Sequence, residues 1–272
     1  MTLLGFFLLT ALPTIEPPKT GHFTLTFSER SPISSAAEIR KRLGFGTAKK
    51  EASEDYEIDK ESFDAYVPAS YDGKKAFGLL VFISPGIKGS VKNFDKDGGW
   101  TKALDAREII WVGPNDAGNV RPAVPRIALA LDAAHNAAKK FNVDPNRIYI
   151  GGVSGGGRIT SMTLIGFSEA FAGGYSIIGA DYYKQLPSKS KGGVYPATFK
   201  APPPKTLATA KKKRFVLLTG DDDANREQMA AIHQSLKKDG WKNTHYFQVP
   251  GMGHTAPAGE WFAKGLAALE GE

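Results

Sequence analysis

"IYIGGVSGGGRIT" runs from Ile148 to Thr160, an apolar segment that ends in glycines crowded around a single serine, Ser154. Glycines around one polar residue can cradle a phosphate, form a flexible joint, or allow a turn too tight for other side chains. Gly152-Val153-Ser154-Gly155-Gly156 satisfies G-x-S-x-G. The residues before it read as a buried strand and those after it as a helix. In that setting the serine sits on a strained strand-to-helix turn, and a Cβ at the flanking positions would strike the neighbouring strand or helix. A phosphate loop needs Lys and then Ser or Thr after its last glycine, but Arg158 and Ile159 follow Gly157. That leaves no hydroxyl for magnesium.

The segments on either side fit a sheet built around this turn. "FGLLVFIS" (77–84) and "EIIWVGP" (108–114) are apolar almost throughout, as strands covered on both faces are. "SFDAYVP" (62–68) alternates, as a half-exposed strand does. "SSAAEIRKRLGFG" (34–46) places Ser35 and Glu38 at capping-box spacing with Gly44 past the last apolar position, which predicts a short helix. Val124 to Phe141 has helical periodicity, and Asp144-Pro145 breaks the chain before the strand at "RIYIGG". Further on come "GGYSIIGA", "RFVLLTG", a helix from Asn225 to Asp239, "HYFQVPG" and a last helix from Glu260 to Leu269. Alternation of this kind predicts a mainly parallel α/β sheet with helices on both faces. Lys184 to Lys213, rich in Pro and Lys, reads as a surface excursion or at most a small cap.

A length of 272 residues with 42% hydrophobic content is enough for one full core, and residues 21–272 read as a single domain. The absence of cysteine removes disulfides, thiolate metal sites and cysteine nucleophiles together. The net charge of +7 is spread along the chain except at Lys211-Lys212-Lys213-Arg214, which argues against a nucleic-acid partner. Leu3 to Leu12 is apolar, too short to span a bilayer, and stops at a proline-rich stretch. Residues 1–20 therefore read as a signal peptide, although no Lys or Arg precedes the run, with a first buried strand as the alternative. The expected location is secreted or periplasmic, cytoplasmic if the run is a strand, with no stable membrane insertion of the mature chain.

A serine hydroxyl is scarcely ionised at neutral pH, so Ser154 needs a general base and a carboxylate to hold that base in the right tautomer. His135 and His233 lie within predicted helices, His245 begins a strand, and His22 precedes every motif. His254, in "VPGMGHTAP", follows the last strand on a glycine-containing loop that can bring its ring over the sheet edge. "RFVLLTGDDDAN" offers Asp221, Asp222 and Asp223 as the acid. Asp223 is preferred because the loop needs a few residues beyond Gly220 to turn back over the sheet.

The order Ser154, Asp223, His254 in these contexts resembles the α/β-hydrolase family from about Asp64 onward. "FNVDPNRIYIGGVSGGGRIT" is most similar to the polyhydroxybutyrate-depolymerase and feruloyl-esterase branch. The resemblance implies a serine carboxylic-ester hydrolase that needs no cofactor or metal and acts on small or polymeric esters, short-chain or aromatic. A serine peptidase or other acyl transferase, or a non-catalytic binding protein of the same fold, remains as an alternative. Where the family has His-Gly after its third strand, this chain has "ISPGIKGS", and Pro85 has no N–H to offer. By position the oxyanion donors are Gly155 and Gly86, with Ile87 as substitute. Trp111, Tyr182 and Tyr183, near strand ends, could give flat surfaces for the substrate.

Overall fold

The computed structural model describes residues 18–46, 54, 56–189 and 192–272. Residues 1–17, most of the expected signal peptide, lie outside them.

The first described elements are β1 (Gly21–Thr26), an edge strand with no apolar run to announce it, and α1 (Ala36–Leu43). Ser35 caps α1 by accepting from the Glu38 N–H at 3.2 Å, and Gly44 closes it with φ 65°, as the spacing predicts. There follow β2 (Ser62–Val67), β3 (Phe77–Ile83), α2 (Gly99–Ala106), β4 (Ile109–Pro114) and α3 (Ala123–Lys140). Next come β5 (Val143–Val153), α4 (Gly155–Gly166) and β6 (Gly173–Ile177). The excursion holds the two-residue strands β7 (Leu186–Pro187) and β8 (Val194–Tyr195), then α5 (Pro204–Ala210). β9 (Arg214–Gly220), α6 (Arg226–Lys238), β10 (Thr244–Val249) and α7 (Gly259–Glu270) complete the order.

Among the described residues eight strands form one sheet in the order β1-β2-β4-β3-β5-β6-β9-β10. β1 and β2 are antiparallel additions at one edge, and pairing is parallel from β4 to β10. β5 starts earlier than expected, at Val143. Asp144-Pro145 still interrupts it, since Phe77 pairs with Val143 but Leu79 with Ile148, so residues between them bulge out of register.

Side chains alternate between two apolar layers, as strand geometry requires. On β3, Leu79, Val81 and Ile83 face the layer of α1, α3, α4 and α6, while Leu80 and Phe82 face that of α2 and α7. Trp111 on β4 belongs to the second layer. It is fully buried, stacks on Phe82 at 4.2 Å between ring centroids, and donates its indole N–H to the Gly89 carbonyl at 2.8 Å.

Candidate active site

The parallel strands point their C-terminal ends the same way, and the residues that follow β5, β9 and β10 meet there. Ser154 directly follows β5 and precedes α4, with φ 55° and ψ −118°. A non-glycine residue in that region is strained by about 1–3 kcal/mol and persists only where its surroundings enforce it. The enforcement is visible in the packing. A Cβ on Gly152 would lie 2.4 Å from the Gly156 carbonyl carbon, and one on Gly156 would lie 1.8 Å from the Ile83 carbonyl oxygen. Glycine at these positions lets α4 start directly against β3 and β5 and aims Ser154 outward.

Ser154 Oγ lies 2.9 Å from His254 Nε2, and His254 Nδ1 lies 2.8 Å from Asp223 Oδ1. The Asp223 side chain is fully buried, whereas that of His254 is 45% exposed. Asp223 also accepts the Thr219 hydroxyl on Oδ2 at 2.7 Å and the Asn225 N–H on Oδ1 at 3.1 Å. With both oxygens held, the carboxylate can fix the imidazole tautomer whose Nδ1 carries hydrogen, leaving Nε2 free to accept from the serine. The His254 loop is seated by close backbone contact, since a Cβ at Gly220 would fall 1.6 Å from the Met252 carbonyl oxygen. Of the three consecutive aspartates, Asp223 is the one joined to His254. Asp222 is exposed, and Asp221 Oδ1 is buried with no hydrogen-bond partner among the described residues.

Ser154 and His254 line a cleft of about 570 Å³. Its walls are aliphatic at Ala123, Ile159, Met162 and Ala224, and polar at Asn119, Arg126, Arg158, Asp181 and Asn225. Gly155 also lines it and opens α4, where its N–H has no partner within the helix. Gly86 and Ile87 are not in the lining. The Gly86 N–H donates to Ser84 Oγ at 3.0 Å, and Ile87 is exposed.

The three aromatic residues expected at the substrate are elsewhere. Trp111 faces the α2 and α7 layer of the sheet. Tyr182 and Tyr183 are buried, and both donate their hydroxyls to Asp239 Oδ2, at 2.7 and 2.8 Å. Two phenols satisfied on one carboxylate brace the excursion against the end of α6, and neither ring reaches the cleft. Position near a strand end gave no indication of which way each ring would point.

Sequence reasoning passed over Asn119, Arg126, Arg158 and Asn225. Asn119 packs against the nucleophile turn so closely that a Cβ on Gly155 would lie 1.9 Å from its side-chain oxygen. Its own N–H donates to the Pro85 carbonyl at 2.9 Å, which ties the loop after β4 to the loop after β3. Arg158 pairs with Asp181 at 2.5 Å and donates to Asn225 Oδ1 at 3.1 Å. Burial pushes the Asp181 carboxyl up, against the pull of the arginine. The one signal available for Arg158 was its place four residues after Ser154, one helical turn along α4.

The sequence matches no protein-family profile and no curated protein. Solved structures share its architecture. A feruloyl esterase module from Clostridium thermocellum complexed with sinapinate is 15% identical, with a TM-score of 0.59 over 93% of this chain and 88% of that one. A poly(3-hydroxybutyrate) depolymerase from Bordetella parapertussis is 17% identical, with a TM-score of 0.51 over 78% of this chain and 83% of that one. A thermostable esterase is 17% identical with a TM-score of 0.51 over 77% of this chain, which spans 58% of that protein's length. The chain has the α/β-hydrolase fold. Ser154 stands at the turn after β5, a strand in the middle of the sheet. Among the described residues, no helix is long and apolar enough to cross a membrane and no three His, Cys, Asp or Glu cluster as metal ligands.

Proposed function

We propose that the protein is a serine carboxylic-ester hydrolase for short-acyl esters, working through an acyl-enzyme on Ser154. The observation that carries this reading is the continuous hydrogen-bonded line from Ser154 Oγ through both nitrogens of His254 to buried Asp223. Ser154 Oγ attacks the ester carbonyl carbon while His254 Nε2 takes its proton. The carbonyl oxygen becomes an oxyanion, received by the Gly155 N–H and the Asn119 carboxamide. The C–O bond to the alcohol then breaks, and His254 returns the proton to the departing alkoxide. Water, deprotonated by the same imidazole, adds to the acyl carbon, the bond from that carbon to Ser154 Oγ breaks, and the imidazolium returns the proton to the serine as the carboxylic acid leaves.

The small aliphatic wall suits a short acyl chain. Among the described residues no Phe, Tyr or Trp lines the cleft. The esterases that share the fold make ester cleavage the first reaction to assay, and export from the cytoplasm remains part of the proposal.

A fluorophosphonate should label the wild-type protein at Ser154, and the protein should hydrolyse nitrophenyl acetate or butyrate. Ser154→Ala should lose the label and several orders of magnitude in kcat, leaving only what binding and the oxyanion site contribute. Undiminished turnover in Ser154→Ala would falsify the mechanism, and cleavage of amides in preference to esters would move the protein to the peptidases.

A further inference from the structure

We infer that Arg126 makes the cleft selective for esters that carry a second, anionic group, a carboxylate on the acyl side. The inference rests on the proposed ester hydrolysis and names its substrate class. Arg126 lies in the first turn of α3, is 6% exposed, and lines the same cleft as Ser154 and His254. Its Nε donates to the Ala117 carbonyl at 2.7 Å, and one terminal nitrogen makes a long contact of 3.5 Å to the Ser84 carbonyl. Among the described residues no carboxylate stands within ion-pair distance of it.

Five arginines that are less buried than Arg126 have carboxylate partners, Arg30 with Asp132, Arg107 and Arg147 with Glu270, Arg121 with Glu61, and Arg158 with Asp181. A buried cation without a counter-anion is costly unless something else supplies the charge. Burial lowers the Arg126 guanidinium to about 10, which still leaves it charged at neutral pH. Two carbonyl acceptors leave part of its five-donor fork unused, and that fork matches a carboxylate.

A second feature points the same way. Ala123, the first residue of this 18-residue helix, also lines the cleft, so the positive end of α3 opens into it. The acidic groups at hand are already engaged, Asp181 by Arg158 and Asp223 by His254. The vacant partner is therefore on the substrate, as in the monoester of a short dicarboxylic acid. A role confined to clamping the Ala117 and Ser84 carbonyls would instead affect neutral and anionic esters equally.

The test compares monomethyl glutarate and monomethyl adipate with methyl pentanoate and methyl hexanoate, using the full chain. Wild type should favour the anionic member of each pair by about tenfold or more in kcat/KM, and Arg126→Met should lower that ratio by at least about tenfold while Arg126→Lys retains part of it. Glutarate should also inhibit hydrolysis of a neutral ester competitively, where glutaramide does not. Calorimetry on Ser154→Ala reads the anion site without catalysis: glutarate should bind it and should not bind Ser154→Ala carrying Arg126→Met. Equal rates on both members of each pair, or glutarate binding that survives Arg126→Met, would overturn the inference while leaving ester hydrolysis intact. Glutarate binding in a protein with no esterase activity and no phosphonate label would instead leave Arg126 as an anion receptor and remove the hydrolase reading.

Discussion

The backbone N–H of Asn225 donates to Asp223 Oδ1, the same oxygen that faces His254. The Asn225 side chain binds in two further directions, donating to the Ile178 carbonyl at 2.8 Å and accepting from Arg158. One residue at the start of α6 thus joins Asp223, the residue after β6 and the cleft arginine Arg158. Ile178 itself has φ 47°, a conformation β-branched residues rarely adopt, so the strain at Ser154 has a neighbour just past the end of the adjacent strand β6.

The geometry separates the three aspartates. Asp223→Asn should lower kcat by about 10³- to 10⁴-fold, since an amide can hold the imidazole in the wrong tautomer. Asp222→Asn, at an exposed position, should change kcat less than about twofold. Asp221→Asn should leave kcat nearly unchanged, because its carboxylate does not meet His254. Steady-state kinetics on nitrophenyl butyrate decide this, and a larger loss at Asp221 or Asp222 would move the acid while sparing the mechanism.

How much of this was legible in the sequence follows from which forces act locally. Ser154, Asp223 and His254 were readable because each needs a particular backbone setting, a tight turn or a loop after a buried strand, and such settings leave glycines and apolar runs behind them. β1 and α2 were not, since β1 is a half-exposed edge strand with little apolar pattern and α2 begins among glycines. The misassigned rings show the deeper limit. Trp111 is placed by strand alternation against Phe82, and the two tyrosines by a carboxylate on a distant helix, so their directions depend on residues far away in the chain. Asn119 and Arg126 reach the cleft through contacts between loops and helix ends, for which periodicity gives no sign.

The proposed oxyanion donors can be told apart by two substitutions. Asn119→Ala should lower kcat by about 10²-fold with little change in KM, the cost of one donor used mainly in the transition state. Ser84→Ala should have a small effect, because the Gly86 N–H it frees belongs to a residue outside the cleft lining. An unchanged Asn119→Ala together with a faster Ser84→Ala would return the role to Gly86.

In the proposed mechanism His254 is neutral when it accepts the serine proton, so kcat/KM should rise with pH on the acid side with a log–log slope of about one, then level off. His22 and His233, both lowered mainly by burial, lie outside the cleft and should not enter this profile. His22→Gln and His233→Gln should keep the wild-type curve, measured on a neutral ester. A flat profile from acid to neutral pH would remove histidine as the base.

Acyl length is set by what covers the cleft. The excursion between Lys184 and Lys213 pairs β7 with β8 and packs near α4 and α6, and none of its described residues lines the cleft. The aliphatic wall amounts to Ala123, Ile159, Met162 and Ala224, enough to desolvate a few methylenes and too little to bury a fatty chain. Each buried CH₂ contributes about 0.8 kcal/mol, so kcat/KM should climb from acetate through the first few carbons. Beyond about six to eight carbons the chain should extend past the wall into water and the gain should vanish. A nitrophenyl series from acetate to palmitate measures the curve, and a maximum at the long-chain end would mean that the excursion closes over the site as an apolar lid.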